Sequence, residues 1–202
     1  KVVIQGFGNA GMNAAKLLAK RDFSIVGVSD SKGAVYNAAG LDVTELVKVK
    51  SETKSVVNYA NADKISNEEL LKSECDILIP SALSEVLTKE NASEVKAKIV
   101  LELANGPTTQ EADEILHQKD ILVIPDILAN SGGVTVSYFE WIQNNTGDYW
   151  KEEFVKDRLK EKMISAFSQL WEQKKEHDFR TTAYIHAIRK VLKVEKLRGR
   201  LS

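Results

Sequence analysis

The stretch Val2-Val3-Ile4-Gln5-Gly6-Phe7-Gly8-Asn9-Ala10-Gly11 joins a short apolar run to a glycine-rich turn and to the start of a helical pattern. The turn has the spacing G-x-G-x-x-G, in which each glycine has its own task. Gly6 permits a tight turn, Gly8 lets the backbone approach a pyrophosphate, and Gly11 lets the helix pack closely on the strand. The helix N-terminus offers N–H groups and the positive end of its dipole to an anion. The stretch predicts a dinucleotide-binding turn with contacts from Gly6, Phe7, Gly8, Asn9, Ala10 and Gly11.

Apolar runs of strand length alternate with helical patterns over about the first two-thirds of the chain. The runs are rich in Val, Ile and Leu and lack polar alternation, which is typical of parallel strands buried on both faces. They cover residues 2–5, 24–29, 76–79, 98–103 and 121–124. Helices are expected between them, the first over residues 9–21 and two others behind capping boxes that begin at Ser66 and Thr108. This alternation predicts an α/β fold with a doubly wound, Rossmann-type sheet.

Past residue 130 only helical patterns remain, and the two strongest cover residues 149–175 and 182–197. Their apolar residues recur at spacings of three and four, which is typical of packing helices. We expect residues 1–145 to form the dinucleotide-binding core and residues 146–202 to form extra C-terminal helices that pack on it. Because residue 1 already lies inside a strand candidate, we expect the chain to be a piece of a longer protein.

Composition excludes several classes of function. The 202 residues contain 28 Lys and Arg against 29 Asp and Glu, so there is no basic excess to hold a nucleic acid. The apolar runs are too short to span a bilayer, so no membrane partner is expected. A single cysteine, Cys75, excludes an intrachain disulfide and favours a reducing, cytoplasmic compartment. The three histidines, His117, His177 and His186, are scattered, so no metal site is expected.

An acid follows the second strand candidate at the place where this class of fold recognises a ribose. Asp30 is expected to accept hydrogen bonds from the adenosine ribose hydroxyls. The next residues, Ser31 and Lys32, offer a hydroxyl and an ammonium that suit a 2′-phosphate, whereas Asp30 would repel one. The residues therefore leave the choice between NAD and NADP open.

Two asparagine turns follow later strands, at the edge of the sheet where ligands bind. Asn105 follows the run at 98–103, although Asn-Gly-Pro is also ordinary turn chemistry. Asn130 follows the last strand and is either a cofactor contact or a helix cap. Two adjacent glycines, Gly132 and Gly133, weaken the start of the next helix and suggest that a flat ring lies against the backbone. Val134 and Ser137 then share one helical face, on which a lone serine is otherwise a surface hydroxyl.

Four turns, taken together, resemble the cofactor domain of glutamate dehydrogenase, from the family that also acts on leucine, valine and phenylalanine. They are Gln5-Gly6-Phe7-Gly8-Asn9-Ala10-Gly11, Val28-Ser29-Asp30-Ser31-Lys32-Gly33, Ala104-Asn105-Gly106-Pro107-Thr108 and Leu128-Ala129-Asn130-Ser131-Gly132-Gly133-Val134. The similarity continues through Ser137-Tyr138-Phe139-Glu140-Trp141 and covers essentially the whole chain. It implies oxidative deamination of L-glutamate to 2-oxoglutarate and ammonia, with hydride passing to NAD or NADP.

The resemblance also implies roles for particular residues. It places Ala82, Asn105 and Asn130 among the cofactor contacts, and Val134 and Ser137 against the substrate, with Ser137 at the γ-carboxylate. The family's catalytic lysine and aspartate belong to an N-terminal substrate domain that would precede residue 1, so no catalytic residue is assigned in this chain. The complete enzyme is expected to be a homo-hexamer, and the chain alone is expected to be inactive.

Two residues depart from the family pattern. Ala10 replaces a valine in the phosphate turn, and Leu103 stands where glycine or alanine is usual. The bulk of Leu103 is expected to crowd the cofactor beside Asn105. Two alternatives remain, namely the cofactor domain of a leucine, valine or phenylalanine dehydrogenase, and a non-catalytic nucleotide-binding module.

Overall fold

The computed structural model describes residues 1–174 and 178–200, and it divides into two compact units, Lys1–Ile124 and Pro125–Ser202. The first unit alternates strands with helices. Its strands are β1 (Val2–Gln5), β2 (Ile25–Asp30), β3 (Gly33–Tyr36), β4 (Asp63–Ile65), β5 (Ile77–Pro80), β6 (Ile99–Leu101) and β7 (Leu122–Ile124). Its helices are α1 (Asn9–Ala19), α2 (Val43–Thr53), α3 (Asn67–Leu71) and α4 (Gln110–Gln118).

Within the described residues, the strands form one seven-stranded sheet in the order β4-β3-β2-β1-β5-β6-β7. Strands β2, β1, β5, β6 and β7 are parallel to one another, whereas β3 is antiparallel to both β2 and β4. The chain leaves β1 towards β2 and later returns to β5 on the other side of β1. This reversal creates the crevice at which doubly wound sheets bind ligands. The predicted Rossmann-type α/β fold is confirmed.

Strands β3 and β4 were not predicted from the sequence. Strand β3 folds back on β2 through the two-residue turn Ser31-Lys32, with Asp30 opposite Gly33. Strand β4 has only three residues and is mostly exposed. Strand β4 is the edge strand and has one apolar residue, Ile65, so it lacks the apolar run by which the other strands were recognised. In β3 the run has only three residues, Ala34 to Tyr36, although Ala34 and Val35 are fully buried.

Each face of the sheet carries its own apolar core. Successive residues of β1 point to opposite faces, so Val3 packs with Leu78 and Val100, while Ile4 packs with Phe7 and Val28. Burial on both faces explains why the central strands are continuous apolar runs. Cys75 lies against the first of these cores, and burial, the largest cause, raises the pKa of its thiol to about 12.

The two predicted capping boxes have different outcomes. Ser66 accepts a hydrogen bond from the Glu69 N–H, and the Glu69 carboxylate accepts one from the Ser66 N–H, so the first box is confirmed. The second box was placed one residue early. Thr109, rather than Thr108, caps α4, and the third residue of the helix is Ala112, whose methyl side chain cannot accept the hydrogen bond that completes a box.

The second unit is helical and contains α5 (Asp126–Ala129), α6 (Ser131–Thr146), α7 (Glu152–Gln173) and α8 (Phe179–Leu197). Helix α6 packs on α7, α7 packs on α8, and α5 contacts all three. The structure therefore groups α6 with the C-terminal helices, whereas the sequence grouped residues 125–145 with the sheet. The last predicted residue of the helix at 149–175 lies outside the described residues, as does His177.

The described helices include none that is long and apolar enough to cross a membrane. Among the same residues, no group of three or more His, Cys, Asp or Glu side chains is placed to hold a metal ion.

A buried carboxylate ties the β2–β3 hairpin to the rest of the first unit. One oxygen of Asp30 accepts hydrogen bonds from the Lys50 ammonium at 2.6 Å and the Val56 N–H at 2.8 Å. The other oxygen accepts from the Lys32 N–H at 2.8 Å and the Ser55 hydroxyl at 3.3 Å. Burial raises the pKa of Asp30, but the hydrogen bonds from Lys50, Lys32 and Val56 outweigh it and hold the pKa below its ordinary value.

The Asp30 network predicts a pH-dependent contribution to stability. Because the folded-state pKa is lowered, the contribution is complete above the unfolded pKa of about 4 and is lost as the pH falls through the lower folded value. Urea unfolding at pH 7 should show Asp30→Asn to be less stable than the original chain by about 1–3 kcal/mol. That difference should shrink on acidification below about pH 4. The control Asp63→Asn alters an exposed carboxylate of β4, and an equal loss from both variants would contradict the prediction.

Candidate functional site

The glycine turn lies at the carboxyl end of β1, between the strand and α1. Gly6 has a φ of 95° and donates its N–H to the hydroxyl of Ser29 at 3.1 Å. Phe7 is 1% exposed and packs in the core, so only its backbone faces the turn. Asn9 and Ala10 are exposed in the first turn of α1. The side chain of Phe7 is therefore not exposed to a cofactor, and only its backbone remains as a predicted contact.

Two glycines of the turn are fixed by close contacts. A Cβ on Gly11 would overlap the carbonyl oxygen of Gly6, and one on Gly6 would overlap Ala82. Ser81 donates one hydroxyl to two carbonyl oxygens, those of Gln5 at 2.8 Å and Gly6 at 2.7 Å. The structure therefore places Ala82, which follows β5, beside the glycine turn that follows β1. Its contact with a cofactor stays a prediction.

Gly8 differs from its two neighbouring glycines because it faces open space. A Cβ added at Gly8 would meet no atom within 4 Å, and the backbone there is extended, with a φ of −87°. Gly8 is also the N-cap of α1, and no side chain caps this helix. The first N–H groups of α1 are thus directed, with the helix dipole, at an open surface, which is the arrangement that binds phosphate at helix N-termini.

Asp30 lies where the sequence placed it, at the carboxyl end of β2 beside the phosphate turn. Its side chain is only 6% exposed, however, and its two oxygens already accept four hydrogen bonds. Four is about the full accepting capacity of a carboxylate. A ribose hydroxyl must therefore replace one of these donors, whereas Ser31 and Lys32 are exposed at the tip of the hairpin.

Asn105 lies in an exposed turn at the carboxyl end of β6, as predicted. Strand β6 ends earlier than expected because the N–H groups of Leu103 and Ala104 both bond to the Pro80 carbonyl. Leu103 is half-buried and packs against the core cluster that contains Phe7. This packing directs much of its bulk into the core, which reduces the crowding expected beside Asn105.

The remaining predicted contacts belong to the second unit and are described within it. Asn130 joins α5 to α6 and occupies the N-cap position of α6, but its side chain makes no capping hydrogen bond. Val134 is 70% exposed and Ser137 is also exposed, on the same face of α6. The Ser137 hydroxyl donates to the Gly133 carbonyl at 3.2 Å. A Cβ on Gly133 would meet nothing within 4 Å, so packing within this unit does not require that glycine.

Three polar residues that shape the site were not predicted. Ser29 and Ser81 hold the backbone of Gly6, and Lys50 neutralises Asp30. Each lies twenty or more residues away in sequence from the group it holds. Only the folded sheet brings them together, so no local motif marks them.

Comparison with known proteins assigns the family. A model of the Glutamate/Leucine/Phenylalanine/Valine dehydrogenases matches residues 1–199. The chain belongs to this dehydrogenase family. It is 48% identical over 201 residues to the NAD-specific glutamate dehydrogenase of Staphylococcus aureus, covering 98% of this chain and 48% of that protein. The chain thus spans about half the length of the curated relatives it matches.

Solved structures of glutamate dehydrogenases also match this chain. The enzyme from Peptoniphilus asaccharolyticus has 34% sequence identity and a TM-score of 0.81, over 98% of this chain and 47% of that one. A hetero-hexameric glutamate dehydrogenase from Thermus thermophilus, in its Leu-bound form, has 29% identity and a TM-score of 0.92, over 100% of this chain and 48% of that one. The resemblance drawn from the four turns is confirmed.

The contrast between Gly8 and Gly11 yields a prediction with a built-in control. Gly8→Ala should lower the free energy of unfolding in urea by less than about 1 kcal/mol, because its Cβ enters open space and only the N-cap preference for glycine is lost. The same variant should weaken NAD binding about tenfold, or about 1.4 kcal/mol, because a pyrophosphate would lie in that space. Gly11→Ala should instead destabilise the fold by about 1–3 kcal/mol through overlap with Gly6, although alanine is the better helix former. Calorimetry and urea unfolding measure the two effects, and unchanged NAD affinity in Gly8→Ala would exclude the turn as the phosphate site.

Proposed function

We propose that this chain is the cofactor domain of an NAD(P)-dependent glutamate dehydrogenase. The observation that carries the proposal is the uncapped N-terminus of α1, which opens through Gly8 onto the crevice where the strand order reverses. Open space at Gly8 and N–H groups without a side-chain cap, at the positive end of a helix dipole, suit a dinucleotide pyrophosphate. The bound nicotinamide cofactor supplies the hydride acceptor for the oxidation of the amino acid. Within this domain, the chain binds and orients the dinucleotide.

We propose NAD as the cofactor. Asp30 carries a negative charge near the expected ribose position, since its pKa lies below the ordinary value. The 2′-hydroxyl of the NAD ribose can donate a hydrogen bond to this carboxylate, whereas the 2′-phosphate of NADP offers only acceptor oxygens and negative charge. The name of the Staphylococcus aureus relative, an NAD-specific enzyme, supports the same choice.

The proposed substrate is L-glutamate, and the residue that supports it is Ser137. A γ-carboxylate that leaves water needs hydrogen-bond donors, because an unpaired buried charge is very costly. The hydroxyl of Ser137 is exposed and bonded only weakly, at 3.2 Å, to its own helix, so it can rotate towards a carboxylate. Val134, one turn earlier on that face, supplies an apolar surface for the substrate's methylene groups.

We further infer that proton transfer belongs to a second domain. The chain spans about half of its curated relatives, and the acid/base lysine and aspartate are expected in an N-terminal substrate domain. The complete enzyme is proposed to be a homo-hexamer in the cytoplasm. The hetero-hexameric Thermus thermophilus relative supports a six-subunit assembly, although it contains more than one kind of chain. The use of a single, half-buried cysteine supports the compartment.

The first expected outcome separates binding from catalysis. Calorimetry should show that the 202-residue chain binds NAD, because the phosphate turn is complete within the first unit. The same preparation should not oxidise glutamate, because no acid/base pair is assigned to it. Glutamate turnover by this chain would refute the division of labour, whereas absence of NAD binding would refute the proposed cofactor site.

The second expected outcome concerns Ser137 in the two-domain enzyme. Ser137→Val should lower kcat/KM for glutamate at least about tenfold, a loss of about 1.4 kcal/mol of transition-state stabilisation. Norvaline should be unaffected or improved, since a site that hydrogen-bonds its substrate discriminates against analogues lacking the group. Thr146→Val is the control, because Thr146 makes the same type of hydrogen bond to its own helix, to Ile142 at 3.0 Å. Unchanged glutamate kinetics in Ser137→Val would favour an apolar substrate.

A further inference from the structure

A cleft of about 500 Å³ opens in the second unit, lined by residues of α6, α7 and α8. Helix α7 provides most of the lining, since Arg158, Lys162, Ser165 and Gln169 recur at spacings of three and four on one face. Helix α8 adds Lys190. None of the predicted cofactor or substrate contacts is among the described residues that line the cleft.

The lining of the cleft has an excess of positive charge. Among the described residues, three cations line it, Arg158, Lys162 and Lys190, together with one carboxylate, that of Glu161. In the part of the chain that the structure describes, no carboxylate lies within ion-pair distance of these three cations. Burial and, to a smaller extent, the positive charge of the neighbouring Lys190 lower the pKa of His186. An anion with two negative charges would balance the excess.

Aromatic rings hold the arginine of this cleft in place. The guanidinium carbon of Arg158 lies 4.9 Å from the ring centre of Trp150, 5.5 Å from that of Phe154 and 5.7 Å from that of Phe139. Phe139 is 1% exposed, so this ring is anchored in the core of the unit, whereas Trp150 is half-buried and Phe154 is exposed. A guanidinium stacked on rings keeps its N–H groups free to donate in its own plane, and it has already lost much of the freedom that binding would remove.

The hydroxyl groups of the cleft differ in what they can donate. Ser131 and Thr135 already donate to backbone carbonyls of Leu128 and Ser131. The hydroxyl of Ser165 instead accepts a hydrogen bond from the Gln169 amide at 2.9 Å, which leaves its own hydrogen for a ligand. The cleft therefore offers one hydroxyl donor beside two ammonium groups and a planar guanidinium fork.

We propose that this cleft binds a small phosphate monoester, with the phosphate held by Arg158, Lys162, Lys190 and Ser165. A phosphate monoester carries close to two negative charges at neutral pH, which matches the excess of cations. Guanidinium groups bind phosphate oxygens in pairs, and lysines add point charges. The volume exceeds that of a phosphate group alone and lies in the range of small-ligand sites, so the organic part of the ester also has room beside Met163 and Ala166.

The experiment titrates the 202-residue chain with glycerol phosphate by calorimetry, with and without saturating NAD. Glycerol tests whether the phosphate is needed, and succinate tests whether any dianion suffices. The variant Lys162→Gln/Lys190→Gln removes two charges of the cleft. The matched control Lys160→Gln/Lys193→Gln removes two exposed lysines from the same two helices outside it. Both variants have the same net charge.

The cleft variant should bind glycerol phosphate about tenfold more weakly than the original chain, and the control less than about twofold more weakly, a difference of about 1 kcal/mol. NAD affinity should be the same in all three proteins, so failure of the cofactor proposal would be seen separately. Absence of binding by the original chain, equal losses in both variants, displacement by NAD, or equally tight binding of succinate would each overturn the phosphate assignment.

Discussion

The contact between Gly11 and the Gly6 carbonyl fixes how α1 meets the sheet, and the proposed site depends on it. No Cβ fits between the helix and the turn, so the helix approaches the strand more closely than a residue other than glycine at position 11 would allow. Ser81 fastens the same turn from β5 by bonding to two of its carbonyls. The close approach points the uncapped start of α1 at the open backbone of Gly8. Without it, the helix dipole would not reach the crevice at the switch in strand order.

The hairpin that follows β2 changes the role expected of its acid. In sequence, Asp30 has the position of a ribose acceptor, but its carboxylate holds the hairpin to Lys50 and to the backbone at Val56. One group therefore serves both the fold and the proposed cofactor site. The hairpin also presents Ser31 and Lys32 at its exposed tip. These two side chains are therefore more accessible to the adenosine end of a proposed cofactor than the buried carboxylate of Asp30.

Helix α7 shows how one amphipathic helix can serve two purposes. Its apolar positions contribute to an aromatic cluster in which Phe167 and Trp171 contact Phe179 of α8. Several of its polar residues line the basic cleft. Arg158 belongs to both environments, since its guanidinium packs on Trp150 and Phe154 and also lines the cleft. The apolar stripe was visible in the sequence, but the cleft was not.

The sequence alone determined the parallel strands, the glycine turn and the helical C-terminal third, because continuous apolar runs, helical periodicity and glycine spacing are local signals. It also identified the dehydrogenase family. Only the tertiary structure decided that Phe7 belongs to the core, that Thr109 caps α4, and that β3 and β4 extend the sheet. It alone showed that Asp30 is already saturated with hydrogen bonds and that Ser29, Ser81 and Lys50 support the site. These partners are distant in sequence, and their contacts exist only once the sheet has brought the strands side by side.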